Sequence, residues 1–446
     1  MTTFAFYESL FDEARSWLDL ADETAGVILA RGGANGDVLL ARELRPVPEE
    51  AYQERGPRRL AIASSGYVPA LRAAADADEI ACFIHSHPRG APVPSKLDDA
   101  VDEELRRLFP DRTGQPDYVS LIIGGDADSP SLSGRIYHGG GRVEQLDRFR
   151  VAGRRIRLFV SDGGQPSADF DRQVRAFGAD GQLLLHGLRV GVVGAGGTGS
   201  AVVEQLIRLG VGSLLIADDD NVSRTNLTRI HQSTAADVDR PKVEVASRLA
   251  AQVATGTTVV ERIGRVTEER VAREFAGCDV VFGCTDDHAG RAVLSRLAYW
   301  YLIPVIDMGV VIDSTAGAIR GIFGRVTVCG PGSPCLICRG IVDSIRMRDE
   351  RLSPEEREIR VAEGYAPELG DPDPAVVAYT TLTASLAVSE WLNRLFGVGE
   401  PVDEMRVRIH DRDIRAIAGQ PNAGHYCDGP TMWARGDDEP FLGQTW

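Results

Sequence analysis

Leu188-Arg189-Val190-Gly191-Val192-Val193-Gly194-Ala195-Gly196-Gly197-Thr198-Gly199, continuing through Val202, Val203, Leu206 and Leu209 to Gly210, decides the fold of the larger part of the chain. The mostly apolar run Leu188 to Val193 reads as a buried strand. Gly194, Gly196, Gly197 and Gly199 then mark a tight turn. Val202, Val203, Leu206 and Leu209 share one helical face until Gly210 stops the helix. A second strand, Ser213 to Ala217, ends in Asp218, nineteen residues after the last glycine of the turn. Strand, glycine-rich turn, helix and acidic residue in this order form a nucleotide-binding unit, in which glycine lets the backbone approach a phosphate at a helix N-terminus. The fold class that follows is α/β.

Alone, this fingerprint suits NAD or FAD. The residues downstream change the chemistry: Asp218, Asp220, then Asn226-Leu227-Thr228-Arg229, then Pro241-Lys242, then Cys284-Thr285-Asp286-Asp287 after the strand Val280 to Phe282. Attack on an α-phosphate needs cations for the departing pyrophosphate and a carboxylate to hold magnesium, whereas hydride transfer needs neither. Lys242 is one of only two lysines, the other being Lys96, so arginine supplies 47 of the 49 basic residues. A coding bias accounts for that excess.

From roughly residue 168 to 427 the chain resembles the ThiF/MoeB/HesA group, the adenylating core of ubiquitin-activating enzymes. The resemblance implies a Rossmann-like, doubly wound adenylation domain that uses ATP and Mg2+. By it, the glycine turn and Asp220 belong to the ATP site and Asp218 binds ribose. Asn226, Arg229 and Lys242 contact phosphates, and Asp286 binds magnesium. The run Phe170-Asp171-Arg172-Gln173 resembles a segment whose arginine reaches the neighbouring subunit's ATP site, which makes Arg172 a catalytic candidate and implies a homodimer.

Upstream lies a second constellation: His85-Ser86-His87-Pro88, Ser95 after six residues, and Asp98 after two more. Ala81 to Ile84 reads as a strand, and residues two apart on a strand point to one side, so His85 and His87 can grip one ion. Pro88, Gly90, Pro92 and Pro94 force a loop. Ser95 then sits where a helix starts, with Asp98 one turn in. Three protein ligands with an open fourth position are the pattern of a catalytic zinc. These residues are similar to the motif of the JAB/MPN (JAMM) metalloproteases, which implies an α/β domain with His85, His87 and Asp98 as Zn2+ ligands. The same resemblance makes Glu23, before Thr24 to Leu29, the general base and Ser95 a donor to the oxyanion.

The whole chain, 446 residues with a formal net charge of -16, suggests two domains and argues against a nucleic-acid partner. No apolar stretch approaches the roughly 18 residues that a membrane span needs, so a cytoplasmic protein is expected. The expected division is a metalloprotease-like domain over 1–160, a linker over 161–168, an adenylation domain over 169–428 and an acidic tail over 429–446, more prone to fray than to dock. Cys335-Leu336-Ile337-Cys338 has zinc-knuckle spacing, and His425 and Cys427 offer the two missing ligands. Either Cys335 or Cys338 could instead be a thioester-forming nucleophile, because Arg339 to Tyr426 contains no cysteine. Ser353-Pro354-Glu355-Glu356 reads as a helix start.

The expected function is a bifunctional enzyme that cleaves a peptide or isopeptide bond at the tail of a ubiquitin-like protein and adenylates the exposed carboxylate. A conjugating-enzyme-like or sulfur-transfer protein would be the next partner. Weighed against it are an adenylating enzyme for a small molecule or tRNA base, an NAD-linked oxidoreductase, and a non-catalytic scaffold for ubiquitin-like folds.

Overall fold

Alternation along the strands Ala25–Gly33 and Ile80–Pro88 places Val27, Leu29, Ala81 and Phe83 on one side of a sheet. That side packs against Leu71 and Ala74 of the helix Val68–Ala77 and Leu105 and Phe109 of the helix Lys96–Thr113. Each buried Val, Leu or Phe side chain among them contributes roughly 1.5–3 kcal/mol. The sheet has nine strands, in the order Arg157–Val160, Arg148–Ala152, Thr3–Tyr7, Val38–Pro46, Ala25–Gly33, Ile80–Pro88, Tyr118–Asp126, Ser129–Tyr137 and Val143–Leu146. Ala25 stands opposite His85, so the residues flanking Glu23 meet the end of the histidine strand.

This computed structural model describes residues 2–160, 164–350, 352, 356, 374–444 and 446, which form two units. One comprises Met1–Ser161 with Trp433–Asp437, the other Asp162–Met432 with Asp438–Trp446. The second unit is built on an eight-stranded sheet. Its order is Thr258–Ile263, Ser213–Asp218, Arg189–Val193, Val280–Gly283, Val305–Thr315, Ala318–Cys329, Glu404–Arg408 and Asp413–Ala416. The first five strands run parallel and the last three add antiparallel. The helix Gly197–Leu209 follows the glycine turn and stops at Gly210 in the left-handed region (φ 75°), as the sequence indicated.

One expectation changes. The final residues do not fray: Trp433 packs edge-on against Tyr7, and Phe441 and Leu442 are buried beside Tyr301 and Trp300. Aromatic burial outweighs the local run of acids there. The helix expected to begin at Ser353-Pro354 lies outside the described residues.

Close packing fixes the glycine turn. A Cβ on Gly199 would stand 1.8 Å from the Gly194 carbonyl oxygen, and one on Gly194 (φ 93°) 2.8 Å from the Cys284 carbonyl oxygen. Gly199→Ala should therefore cost about 3 kcal/mol, the upper end for overpacking. Urea unfolding checks this, and an unchanged midpoint contradicts it.

Candidate active and metal sites

In the first unit, His85 Nε2 and His87 Nε2 lie 3.1 Å apart, with Asp98 Oδ1 3.3 Å from the first and Asp98 Oδ2 3.6 Å from the second. Donors about 2.0–2.1 Å from a tetrahedral zinc stand about 3.3 Å from one another, so this spacing fits that ion. His87 Nδ1 faces the Ala91 carbonyl at 3.1 Å, which places its proton there and leaves Nε2 as a lone-pair donor. Asp98 is placed by a capping box: Ser95 N donates to Asp98 Oδ2 at 2.6 Å, while Ser95 Oγ accepts from Leu97 N and Asp98 N at 3.2 Å each. Burial pushes the Asp98 carboxyl up, but hydrogen bonding to and charge on His85, with the Ser95 N–H, outweigh it and hold the group well below its usual range. Ser95 is thus first of all a helix cap.

Glu23 is 7% exposed and its carboxylate makes no hydrogen bond or ion pair among the described residues. Burial raises its pKa above the ordinary value, opposed by His85 and reinforced by Asp98. Its backbone is tied down instead. Thr24 N donates to Ser86 Oγ at 2.9 Å, Ser86 N donates to Thr24 O at 2.8 Å, and Arg55 Nε donates to Glu23 O at 2.9 Å. Ser86, silent in the sequence reading, locks the segment carrying Glu23 to the strand carrying both histidines.

The second unit holds a cleft of about 1610 Å³ at the carboxyl ends of its parallel strands. Gly194, Gly196, Gly197, Asp218, Asp220, Asn226, Arg229, Lys242 and Asp286 all line it, and Gly199 packs behind the turn. A Cβ on Gly196 would meet nothing within 4 Å, so the space above the turn is left open. Asp218 accepts from Ala195 N at 2.7 Å and from Asp220 N at 2.9 Å. Lys242 Nζ lies 2.6 Å from Asp220 Oδ2 and 3.6 Å from Asp218 Oδ1. Asn226 caps its own turn, accepting from Ser223 N at 3.1 Å. Asp287 spends its carboxylate on Gly290 N and Thr285 Oγ1, whereas that of Asp286 is exposed and unpaired among the described residues. Arg172 is exposed near the start of the helix Asp171–His186 and does not line the cleft of its own chain.

Two cleft arginines, Arg291 and Arg325, and the buried acid that holds them escaped the sequence reading. Asp307, fully buried, pairs with Arg325 Nη2 at 2.5 Å and Arg291 Nε at 3.3 Å, which puts two further cations on the cleft wall. Asp307 sits inside an apolar strand and Arg325 on the partner strand, so nothing in sequence spacing links them.

Cys335, Cys338, His425 and Cys427 converge. His425 Nδ1 lies 3.4 Å from each of the three sulfurs, and Cys338 Sγ lies 3.6 Å from Cys427 Sγ. Donors bound to zinc at about 2.3 Å for sulfur and 2.0 Å for nitrogen are separated by about 3.5–3.8 Å. Cys338 N and Asn422 N each donate to a sulfur at 3.4 Å, as thiolates require. A hydrogen bond from Cys427 foremost holds the Cys335 thiol below its ordinary value. Cys335 is fully buried, which argues against its use as a nucleophile.

Residues 170–417, more than half of the chain, match the model of the ThiF family. The chain belongs to the ThiF family. Residues 8–136 match the model for prokaryotic homologs of the JAB domain. The chain is 34% identical over 161 residues to the SAMP-activating enzyme E1 of Haloferax volcanii, covering 36% of this chain and 56% of that protein. It is 34% identical to the molybdopterin-synthase adenylyltransferase of Salmonella typhimurium, over 38% of this chain and 66% of that one. To the sulfur carrier protein ThiS adenylyltransferase of Escherichia coli it is 29% identical, over 51% of this chain and 80% of that protein. The chain thus spans about half of the first of these relatives. No helix among the described residues is long and apolar enough to cross a membrane.

The ThiF-family unit and the JAB-like unit therefore each carry one donor cluster suited to zinc, one closed by four ligands and one left open by three. Purified protein should hold about two zinc ions per chain, one per donor cluster. Elemental analysis should find one of them lost in His85→Ala and the other in Cys338→Ser; full retention in either variant contradicts the assignment of that cluster.

Proposed function

We propose that this chain trims and then activates the C-terminal tail of a ubiquitin-like carrier protein, with ATP as the second substrate. The observation that carries the reading is the cleft in which Asp218, Arg229, Lys242 and an unpaired Asp286 surround the open glycine turn of a ThiF-family fold. In the adenylation step a carboxylate oxygen of the carrier attacks the α-phosphorus of ATP, and the bond to the pyrophosphate oxygen breaks. Asp218 accepts from the ribose hydroxyls. Arg229, and Lys242 once drawn from Asp220, neutralise the departing pyrophosphate. Asp286 would hold magnesium, which when bound would supply charge neutralisation on the phosphates. Exposed Arg172 suits a role in a partner copy's cleft, which requires a homodimer.

No cysteine of the cleft suits a thioester. Burial pushes the Cys284 thiol well above its ordinary range, and outside the cleft Cys335 is enclosed and Cys338 is engaged in the four-donor cluster. The activated acyl group therefore passes to an external thiol, that of a conjugating-enzyme-like or sulfur-transfer protein. Cys335, Cys338, His425 and Cys427 hold a structural zinc.

In the JAB-like unit the scissile bond is the amide or isopeptide following the carrier tail. Zinc at His85, His87 and Asp98 supplies Lewis acidity. Glu23, its pKa raised by burial, takes a proton from the attacking water and gives it to the leaving amine. The Ser95 hydroxyl, whose oxygen accepts from two backbone N–H groups, donates its own proton toward the developing oxyanion.

The two activities should separate by mutation. Lys242→Ala or Asp286→Ala should lower carrier-dependent exchange between ATP and pyrophosphate by at least about a hundredfold, on the scale of lost transition-state charge stabilisation, with peptidase activity intact. Glu23→Gln should do the reverse while keeping its zinc. Undiminished exchange in both cleft variants would sink the adenylation reading, and an active Glu23→Gln would sink the peptidase one.

A further inference from the structure

Two residues beyond Arg229, His231 bridges two helices. Its Nδ1 lies 3.0 Å from Glu204 Oε2 on the helix Gly197–Leu209, and its Nε2 lies 2.8 Å from Thr381 Oγ1 on the helix Val377–Phe396. Its backbone N–H donates to Ser200 Oγ, one turn earlier on the first helix, at 3.0 Å. A carboxylate only accepts, so a neutral ring satisfies both neighbours when Nδ1 carries the proton and Nε2 accepts from the Thr381 hydroxyl. The other oxygen of Glu204 accepts from Arg208 Nε at 3.0 Å and from Gln232 Nε2 at 3.3 Å, so the carboxylate at the end of the relay is itself held.

Each bridged element also shapes the cleft. The first helix starts at the glycine turn. Thr380, next to Thr381, lines the cleft 3.3 Å from where a Cβ of Gly197 would stand, and Arg229 Cδ lies 3.5 Å from the same point. The Arg229 guanidinium makes one hydrogen bond among the described residues, to the Thr225 carbonyl at 3.2 Å. A long side chain held so lightly is aimed by its backbone, and the relay fixes that backbone two residues on. The order of acid, imidazole and hydroxyl matches that of a nucleophilic triad, but neither His231 nor Thr381 lines the cleft, so a role in covalent chemistry is not assigned.

We propose that His231 is a positioning residue: the relay from Glu204 through His231 to Thr381 sets Arg229 at the position where it meets the nucleotide phosphates. The proposal rests on the phosphate role given to Arg229 above. It is tested by calorimetric ATP titration of the full-length dialysed protein, comparing His231→Phe in the wild-type and Arg229→Ala backgrounds, with thermal denaturation as the control for folding. Loss of two half-buried hydrogen bonds should weaken ATP binding about tenfold in the wild-type background. In the Arg229→Ala background the same change should cost less than about twofold, because residues acting through one group are not additive. Thr381→Val and Glu204→Gln, milder changes that serve should His231→Phe fail to fold, should show the same dependence on Arg229. His231→Gln, which keeps a donor and an acceptor, should restore part of the affinity. An equal loss in both backgrounds, or none in the wild-type one, overturns the relay. No loss on Arg229→Ala alone overturns the phosphate assignment instead, and with it the purpose of the relay.

Discussion

The nucleotide cleft depends on how one buried carboxylate is shared. Asp218 takes hydrogen bonds from Ala195 N and Asp220 N, and Lys242 stands 3.6 Å away. It therefore joins the glycine turn, the end of its own strand and the start of the helix Lys242–Val253. Burial pushes the Asp218 pKa up, and the charge of Lys242 with the two N–H groups opposes this only in part. Any movement of Lys242 away from Asp218 would cost the buried carboxylate part of its compensation. Asp220 is the nearer carboxylate partner of Lys242, at 2.6 Å.

The two donor clusters differ in the number and the kind of their donors. Cys335, Cys338, His425 and Cys427 complete a tetrahedron and draw the Cys335–Cys338 turn to a segment nearly ninety positions later. His85, His87 and Asp98 stop at three, and the unpaired Glu23 carboxylate faces the same neighbourhood strongly enough to feel both His85 and Asp98. Soft sulfur donors predominate in the first cluster, and harder nitrogen and oxygen donors make up the second.

Local pattern made much of this legible. The glycine turn, the helix stop at Gly210, the helix start at Ser95 and the side-by-side histidines all follow from periodicity, capping and strand alternation, which act over a few residues. What stayed hidden depends on pairing across the chain. Ser86 reaches Thr24 over 62 positions, Asp307 meets Arg325 across an antiparallel register, and Trp433 finds Tyr7 from the far end of the sequence. A buried serine, an acid inside an apolar strand and an aromatic residue among acids look ordinary until the fold supplies a partner. The first strand, Thr3–Tyr7, went unread for a related reason: it is buried throughout and shows no alternation.

Helix caps settle which of two adjacent acids is free to work, a choice that spacing alone leaves open. At Asp286-Asp287 the second residue is the N-cap of the helix His288–Trp300, so its oxygens are committed to backbone and hydroxyl donors. The first residue projects before the helix and keeps its charge for the cleft. The same device runs in the other direction at Asp98-Asp99. Asp98, at the third helical position, lends Oδ2 to Ser95 N and presents Oδ1 to His85, while Asp99 points to Arg135. In both places a backbone requirement, the unsatisfied N–H groups of a first helical turn, fixes a carboxylate to within one rotamer. At Asp98 the working acid is itself the one held, so it is oriented before any cation arrives and needs no reordering.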